Sequence, residues 1–226
     1  MIQYIWLLPL GVLVGMFGTL LRAGGGIVLT PLLLVAYPAE RPEILTRIAL
    51  VVLFVNVVPG SVMHARLKQI DYRSGVLGAL AIMPGAVLGA LLTTAVSRHA
   101  LELFFGLVML LFAGGVLVHH RLQHRWHGMI PHRSLRRLFA AEGTLHFTLV
   151  MLALIGIFVH LVTGAGYQGI RRTVVLALGM LCGTHLGGRF LPSLHSTWIR
   201  RNVAIALGGV GIWLLMMACS SYALKL

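Results

Sequence analysis

The stretch Leu21-Arg22-Ala23-Gly24-Gly25-Gly26-Ile27-Val28-Leu29-Thr30-Pro31 decides how this chain folds. Apolar runs flank it, from about residue 4 to 22 and from about 26 to 37. A hydrocarbon core about 30 Å thick takes roughly 20 helical residues to cross, and the second run is too short to do so alone. Three consecutive glycines reach backbone angles closed to other residues, so the two runs read as a hairpin or as a helix broken in mid-membrane. Irregular backbone at that depth is tolerated only where protein covers it or it lines a watery cavity. Such a break leaves amide N–H groups at the start of a half-helix, a terminus that attracts anions. Arg22, beside the break, is a multi-donor cation suited to oxyanions. The alternative is a tight hairpin turn, with Arg22 snorkelling to the interface.

Working outward, the rest of the chain has the same character. Of its 226 residues 58% are hydrophobic and only 10% charged, against about 25% charged in ordinary soluble domains. The chain is therefore expected to be an all-α, polytopic integral membrane protein. Cutting it at charge, Pro and Gly clusters leaves eight hydrophobic segments, at about 4–22, 26–37, 43–65, 74–96, 100–118, 145–165, 172–190 and 198–218. The N-terminus lacks a basic n-region and a small-residue cleavage site, so it reads as a retained helix rather than a signal peptide. Cys182 and Cys219 lie in apolar stretches and imply no disulfide framework.

A net charge of +13 would suggest nucleic acid in a soluble protein, but here it is read as basic loops at one membrane face, with no nucleic-acid partner. Residues 66–73, 119–144 and 189–201 carry eleven basic residues, whereas Arg41, Arg47, Arg98, Arg171, Arg172 and Lys225 share the opposite side. The positive-inside rule assigns the first group to the cytoplasm. The polar stretch 119–144 reads as a basic, His- and Arg-rich linker loop between a first transmembrane half, 1–118, and a shortened second half, 145–226.

The halves resemble one another. Ile82-Met-Pro-Gly85-Ala-Val-Leu-Gly89-Ala90 aligns with Met180-Leu-Cys-Gly183-Thr-His-Leu-Gly187-Gly188, and Arg73 then falls on Arg171. By alternation the two segments cross in opposite directions, which describes an inverted-repeat helical bundle of the secondary-transporter kind. Gly11-x-x-x-Gly15, Gly85-x-x-x-Gly89 and Gly183-x-x-x-Gly187 put small residues on one helix face, the pattern of close helix packing.

Gly11-Val-Leu-Val-Gly15-Met-Phe-Gly18 followed by Gly24-Gly25-Gly26-Ile-Val-Leu-Thr-Pro31 resembles the signature of the TauE/SafE, or sulfite exporter, family of membrane permeases. The likeness continues through His64-Ala-Arg-Leu-Lys-Gln-Ile-Asp71-Tyr72-Arg73, Gly85-x-x-x-Gly89 and Arg98-His-Ala-Leu-Glu-Leu-Phe-Phe-Gly106. It covers residues 5–118 well and 171–218 more weakly. The resemblance implies a multi-pass protein of the bacterial inner membrane, a secondary transporter of a small anion such as sulfite or an organosulfonate. Carried onto this chain, it makes Arg22, Gly24, Gly25, Gly26, Thr30 and Pro31 the substrate-binding residues. The family usually has a second Gly-Gly-Gly hairpin opening its second half. This sequence has none, and Gly164-Ala-Gly-Tyr167 is at most a remnant.

His64, His160 and His185 are the histidines nearest membrane depth and the candidates for proton coupling, the alternative being helix–helix hydrogen bonds. Glu102 is expected as an interfacial charge near a helix N-terminus, and Asp71 as an anchor of its loop. His119, His120, His124, His127 and His132 alternate with arginines at irregular spacing, so they read as a loop facing lipid headgroups rather than a metal site. No catalytic elbow, zinc signature or Walker loop is present, so no enzyme and no cofactor are expected. The expected partners are the bilayer and a small anionic substrate, with homo-oligomerisation left open. The alternative function is a degenerate, non-transporting scaffold or partner subunit of the same fold. A cation permease ranks last because the candidate site is basic.

Overall fold

A computed structural model of the protein describes residues 6–21, 25–126, 134–162, 169–190 and 197–223. Among these there are eight helices and no strand: α1 (Leu7–Leu21), α2 (Gly26–Ala36), α3 (Pro42–Arg66), α4 (Tyr72–Ala95), α5 (Arg98–Trp126), α6 (Ser134–Val162), α7 (Ile170–Phe190) and α8 (Thr197–Ala223). Five of them contain stretches long and apolar enough to cross a membrane: Pro42–Arg66, Tyr72–Thr93, Arg98–Gly115, Gly143–Val162 and Arg201–Ser220. The protein is a polytopic, all-helical membrane protein.

Local chemistry starts these helices where they start. Pro42 occupies the first turn of α3 with Glu43 beside it, a residue whose missing N–H costs nothing there and a charge that suits the positive helix end. Asp71 caps α4, its carboxylate accepting from the Ser74 amide at 3.3 Å and the Ser74 hydroxyl at 2.6 Å. The Asp71 amide donates in turn to Thr144 Oγ1 at 3.1 Å, so this residue ties the α3–α4 turn to α6. Its bonds to Ser74 hold the carboxyl below the usual carboxylate range.

The chain weaves between two ends. One gathers Trp6, Tyr37, Glu40 and the starts of α3, α5 and α7; the Trp6 and Tyr37 rings lie 5.7 Å apart. The other gathers Asp71, Thr144 and the start of α4. α4 therefore leaves the Asp71 end and α7 leaves the Tyr37 end, so the two aligned glycine segments run in opposite directions. α1 and α2 begin and finish at the Tyr37 end, and α2 is enclosed by α3, α5, α8 and α1. The main core joins Leu7 and Val14 of α1, Leu29, Leu33 and Leu34 of α2, Leu45 and Val52 of α3, Leu176 and Met180 of α7 and Leu214 of α8.

One expectation changes. The stretch expected as a loop at 119–144 is helical through Trp126 and again from Ser134; residues 127–133 lie outside the described residues. At 1.5 Å per residue the 29 residues of α5 or α6 reach about 43 Å, well beyond a core of about 30 Å. Hydropathy marks where a helix leaves lipid, not where its hydrogen bonding stops.

Candidate functional site

The site begins at the glycine break. Gly25 caps α2 in the left-handed region, φ 69 and ψ −15, where a side chain is strained. A Cβ there would meet Met180 Cε of α7, Val14 O of α1 at 3.1 Å and Gly18 Cα at 3.4 Å. A Cβ on Gly26 would meet Leu53 of α3 at 2.9 Å. Leu53 lies eleven residues into α3 and Met180 ten residues into α7, so the break stands about 15 Å from the Tyr37 end, half the thickness of a bilayer core. α2 is thus a half-helix whose positive N-terminus points from mid-depth toward the Asp71 end. Its first amides have no carbonyl of their own helix to bond; the first bonds from later residues run from Val28 N and Leu29 N to Gly25 O, at 3.2 and 3.1 Å. Thr30 and Pro31 are buried in the next turn, and Pro31 supplies no N–H to the Ile27 carbonyl. Arg22 and Gly24 lie outside the described residues, as does Gly164-Ala-Gly-Tyr167.

One helical turn beyond the break, toward the Asp71 end, three polar side chains from three helices meet. Thr184 of α7 donates its hydroxyl to Asn56 Oδ1 of α3 at 2.7 Å and lies 3.5 Å from the Gly15 carbonyl of α1. Thr19 of α1 donates to Gly15 O at 3.0 Å and sits 3.5 Å from Thr184 O. Asn56 is buried. Each follows a residue that touches the break: Thr19 follows Gly18, Asn56 comes three after Leu53, and Thr184 four after Met180. A rim of neutral hydrogen-bonding side chains thus lies at membrane depth, within about one turn of the residues packed against the break. Asn56, Thr19 and Thr184 did not emerge from the sequence; the signal for Asn56 is one carboxamide inside an otherwise apolar span.

Glycines hold this rim together. A Cβ on Gly183 would run into the Val12 carbonyl, one on Gly15 into the Met180 carbonyl, and one on Gly179 would come within 2.5 Å of Leu8 O. Gly187 faces Met16 Cα at 3.2 Å. α1 and α7 run parallel at backbone contact. Gly85 and Gly89 do not share this role: both are exposed and a Cβ on either meets nothing within 4 Å. The expected helix packing at this pair is absent within the described chain, because α4 turns that face away from α6.

The three histidines do not converge. His64, near the end of α3, is buried and shares a hydrogen bond of 2.9 Å between Nδ1 and Gln69 Oε1, with the His146 ring 5.4 Å away. His160 is fully buried two residues from the Tyr37 end of α6, and His185 is exposed fifteen residues into α7. His160 and His185 are therefore about 20 Å apart along the membrane normal.

Glu102 also differs from expectation. It is 4% exposed and pairs with Arg98, Nε to Oε1 at 2.7 Å. Arg98 Nη1 donates to Glu40 O at 2.7 Å and Tyr37 O at 3.2 Å, and Nη2 to Leu34 O at 2.5 Å. Beside it Arg172 of α7 pairs with Glu40 at 2.6 Å and lies 4.6 Å over the Tyr37 ring. Two arginines thus grip the C-terminal end of α2, where positive charge suits the helix dipole.

Residues 7–141 match the family model described as "Sulfite exporter TauE/SafE". The chain is 23% identical to the "Probable membrane transporter protein YunE" of Bacillus subtilis over 72% of its own length and 60% of that protein's. It is 33% identical to a "Probable membrane transporter protein" of Xylella fastidiosa strain 9a5c over 51% of its length and 46% of the relative's. A protein of the same name from strain Temecula1 is 36% identical over 44% and 38%. The chain thus spans well under two thirds of each relative it matches. No solved structure matches it.

Proposed function

Because the chain belongs to the sulfite exporter TauE/SafE family, we propose that it is a secondary transporter of a small anion, with sulfite or an organosulfonate as the first candidates, and that the anion is held below the N-terminus of α2. The observation that carries this reading is a half-helix N-terminus at mid-depth with the Thr19, Asn56 and Thr184 cluster within about one turn of the residues packed against it. The terminus supplies partial positive charge and amides that have no carbonyl of their own helix to bond. The rim supplies neutral polar groups, with the Asn56 amide held in place by the Thr184 hydroxyl, and neutral groups suit an anion that has to leave again. Arg22 adds a full charge next to the break.

Flux of labelled sulfite and labelled taurine in proteoliposomes tests this. Arg22→Gln and Gly25→Leu are expected to abolish flux while the protein still inserts. Asn56→Leu and Thr184→Val, each removing a hydrogen bond to a charged ligand, should weaken apparent affinity by about ten- to a hundredfold. Wild-type flux left intact by all four sinks the site. The second reading, a non-transporting partner subunit, is favoured by the absence of a second glycine triplet before α7. It expects no flux from pure protein and stoichiometric co-purification with another membrane protein.

A further inference from the structure

The half-helix that presents the site is mechanically weak. At eleven residues, α2 has only about three turns to hold its axis. It is separated from α1 by a left-handed glycine, the residue type that yields most readily. Besides its packing among α3, α5, α8 and α1, its direction depends on what holds its other end. There one guanidinium reaches four acceptors: Leu34 O, Tyr37 O and Glu40 O at the end of α2 and in its exit, and the carboxylate of Glu102. The Glu102 carboxylate is nearly inaccessible, with the side chain 5% exposed, and a buried charge that loses its partner is strongly unfavourable. A tilt of about 10° pivoting at this end would move the N-terminus of α2 by about 3 Å, the length of one hydrogen bond.

We propose that Arg98, braced by Glu102, is the positioning residue of α2, fixing where the N-terminus of the half-helix stands in the membrane. The consequence for transport rests on the anion reading above; the mechanical claim stands apart from it. Lysine keeps the charge of Arg98 but is a compact ammonium without the planar fork, so it cannot span these four acceptors together. Glutamine at 102 keeps an acceptor but removes the counter-charge.

The test uses the full chain in lipid nanodiscs, with Cys182→Ala and Cys219→Ala to silence the native thiols. A reporter cysteine is placed at buried Thr30 of α2 or at buried Ala177 of α7, and its reaction with a small uncharged maleimide is timed. Arg98→Lys and Glu102→Gln should each speed reaction at Thr30→Cys about tenfold, the scale of a lost charge-assisted hydrogen bond, and leave Ala177→Cys within about twofold. Equal acceleration at both sites makes Arg98 a general strut, and no acceleration at Thr30→Cys removes the clamp; either result overturns the proposal. With Thr30 and Ala177 intact, the same two variants should raise the KM for labelled sulfite about tenfold with Vmax nearly unchanged. A fallen Vmax at constant KM also overturns it. If the wild-type protein moves no anion, the transport reading fails and the labelling rates alone decide the clamp.

Discussion

Adding one methyl group at each of two equivalent positions of the internal repeat should have opposite effects. Gly183 and Gly85 occupy the same place in the aligned segments and both lie inside helices. Glycine to alanine gains about 1 kcal/mol of helix propensity, so Gly85→Ala, where the new Cβ meets nothing within 4 Å, should gain most of that. At Gly183 the new Cβ overlaps the Val12 carbonyl, carbonyl carbon and Cα. These are backbone atoms, so α1 and α7 have to separate rather than rotate a side chain. Overpacking of a well-fitted core costs about 1–3 kcal/mol and occasionally more. Backbone overlap, with the Thr19–Thr184 and Gly15–Thr184 approaches stretched as well, belongs at or above the top of that range, against the gain of about 1. A net loss of about 2–3 kcal/mol converts to a fall in Tm of about 5–10 °C at about 2–4 °C per kcal/mol, whereas Gly85→Ala should rise by about 2–3 °C. Thermal unfolding in detergent followed by tryptophan fluorescence measures both. Equal shifts for the two variants would refute the assignment of the α1–α7 contact as the one that needs glycine.

Asp71→Asn isolates the charge of the α4 cap, since asparagine caps nearly as well. The folded carboxyl of Asp71 titrates below its ordinary value of 3.8, through the Ser74 hydrogen bonds first. Its contribution is therefore complete above that value and disappears as pH falls through the lowered one. The Tm gap between wild type and Asp71→Asn should be constant near neutral pH and close in acid below about 3.8; a gap that persists there contradicts the cap. Arg172→Gln removes a pair whose side chains are 25% and 32% exposed together with the stacking on Tyr37. A loss of about 1 kcal/mol is expected, and it should shrink in 0.5 M salt as about 4 Å of screening length replaces about 10 Å. A loss that ignores salt would assign the effect to packing instead.

Much of this fold was legible because membrane spans are long and their signal is local. All eight segments emerge as helices, and the shortness of the run at 26–37 correctly marks α2 as unable to cross. What was illegible depends on partners far away in sequence. Nothing around Arg98 announces that it reaches Leu34 O, sixty-four residues back, so an interfacial role was the natural reading of Glu102. Asn56 is one polar residue among valines and phenylalanine, and its meaning appears only when Thr184 of α7 lands 2.7 Å away. The glycine pairs show the limit most directly. Gly85-x-x-x-Gly89 and Gly183-x-x-x-Gly187 are the same motif, yet only the second has a helix against it. A small-residue stripe states that a backbone approach is permitted, not that one occurs.

The same distinction bears on the basic residues. Counting charges by loop sets eleven at the Asp71 end against six at the Tyr37 end, and the Arg171 and Arg172 pair is the strongest objection to placing the Asp71 end in the cytoplasm. Two of those six, Arg98 and Arg172, are engaged with Glu102 and Glu40, and Arg98 also with the carbonyls of Leu34, Tyr37 and Glu40. A third, Arg41, pairs with Glu43 at 3.0 Å. Arg98 and Arg172 have a reason to be where they are that is independent of topology: they hold the end of α2 and its exit. Charges near span ends in short connections are the ones that set orientation. Under the positive-inside rule the count of eleven against six predicts that the N-terminus of α2, with the proposed anion site beneath it, faces the cytoplasm.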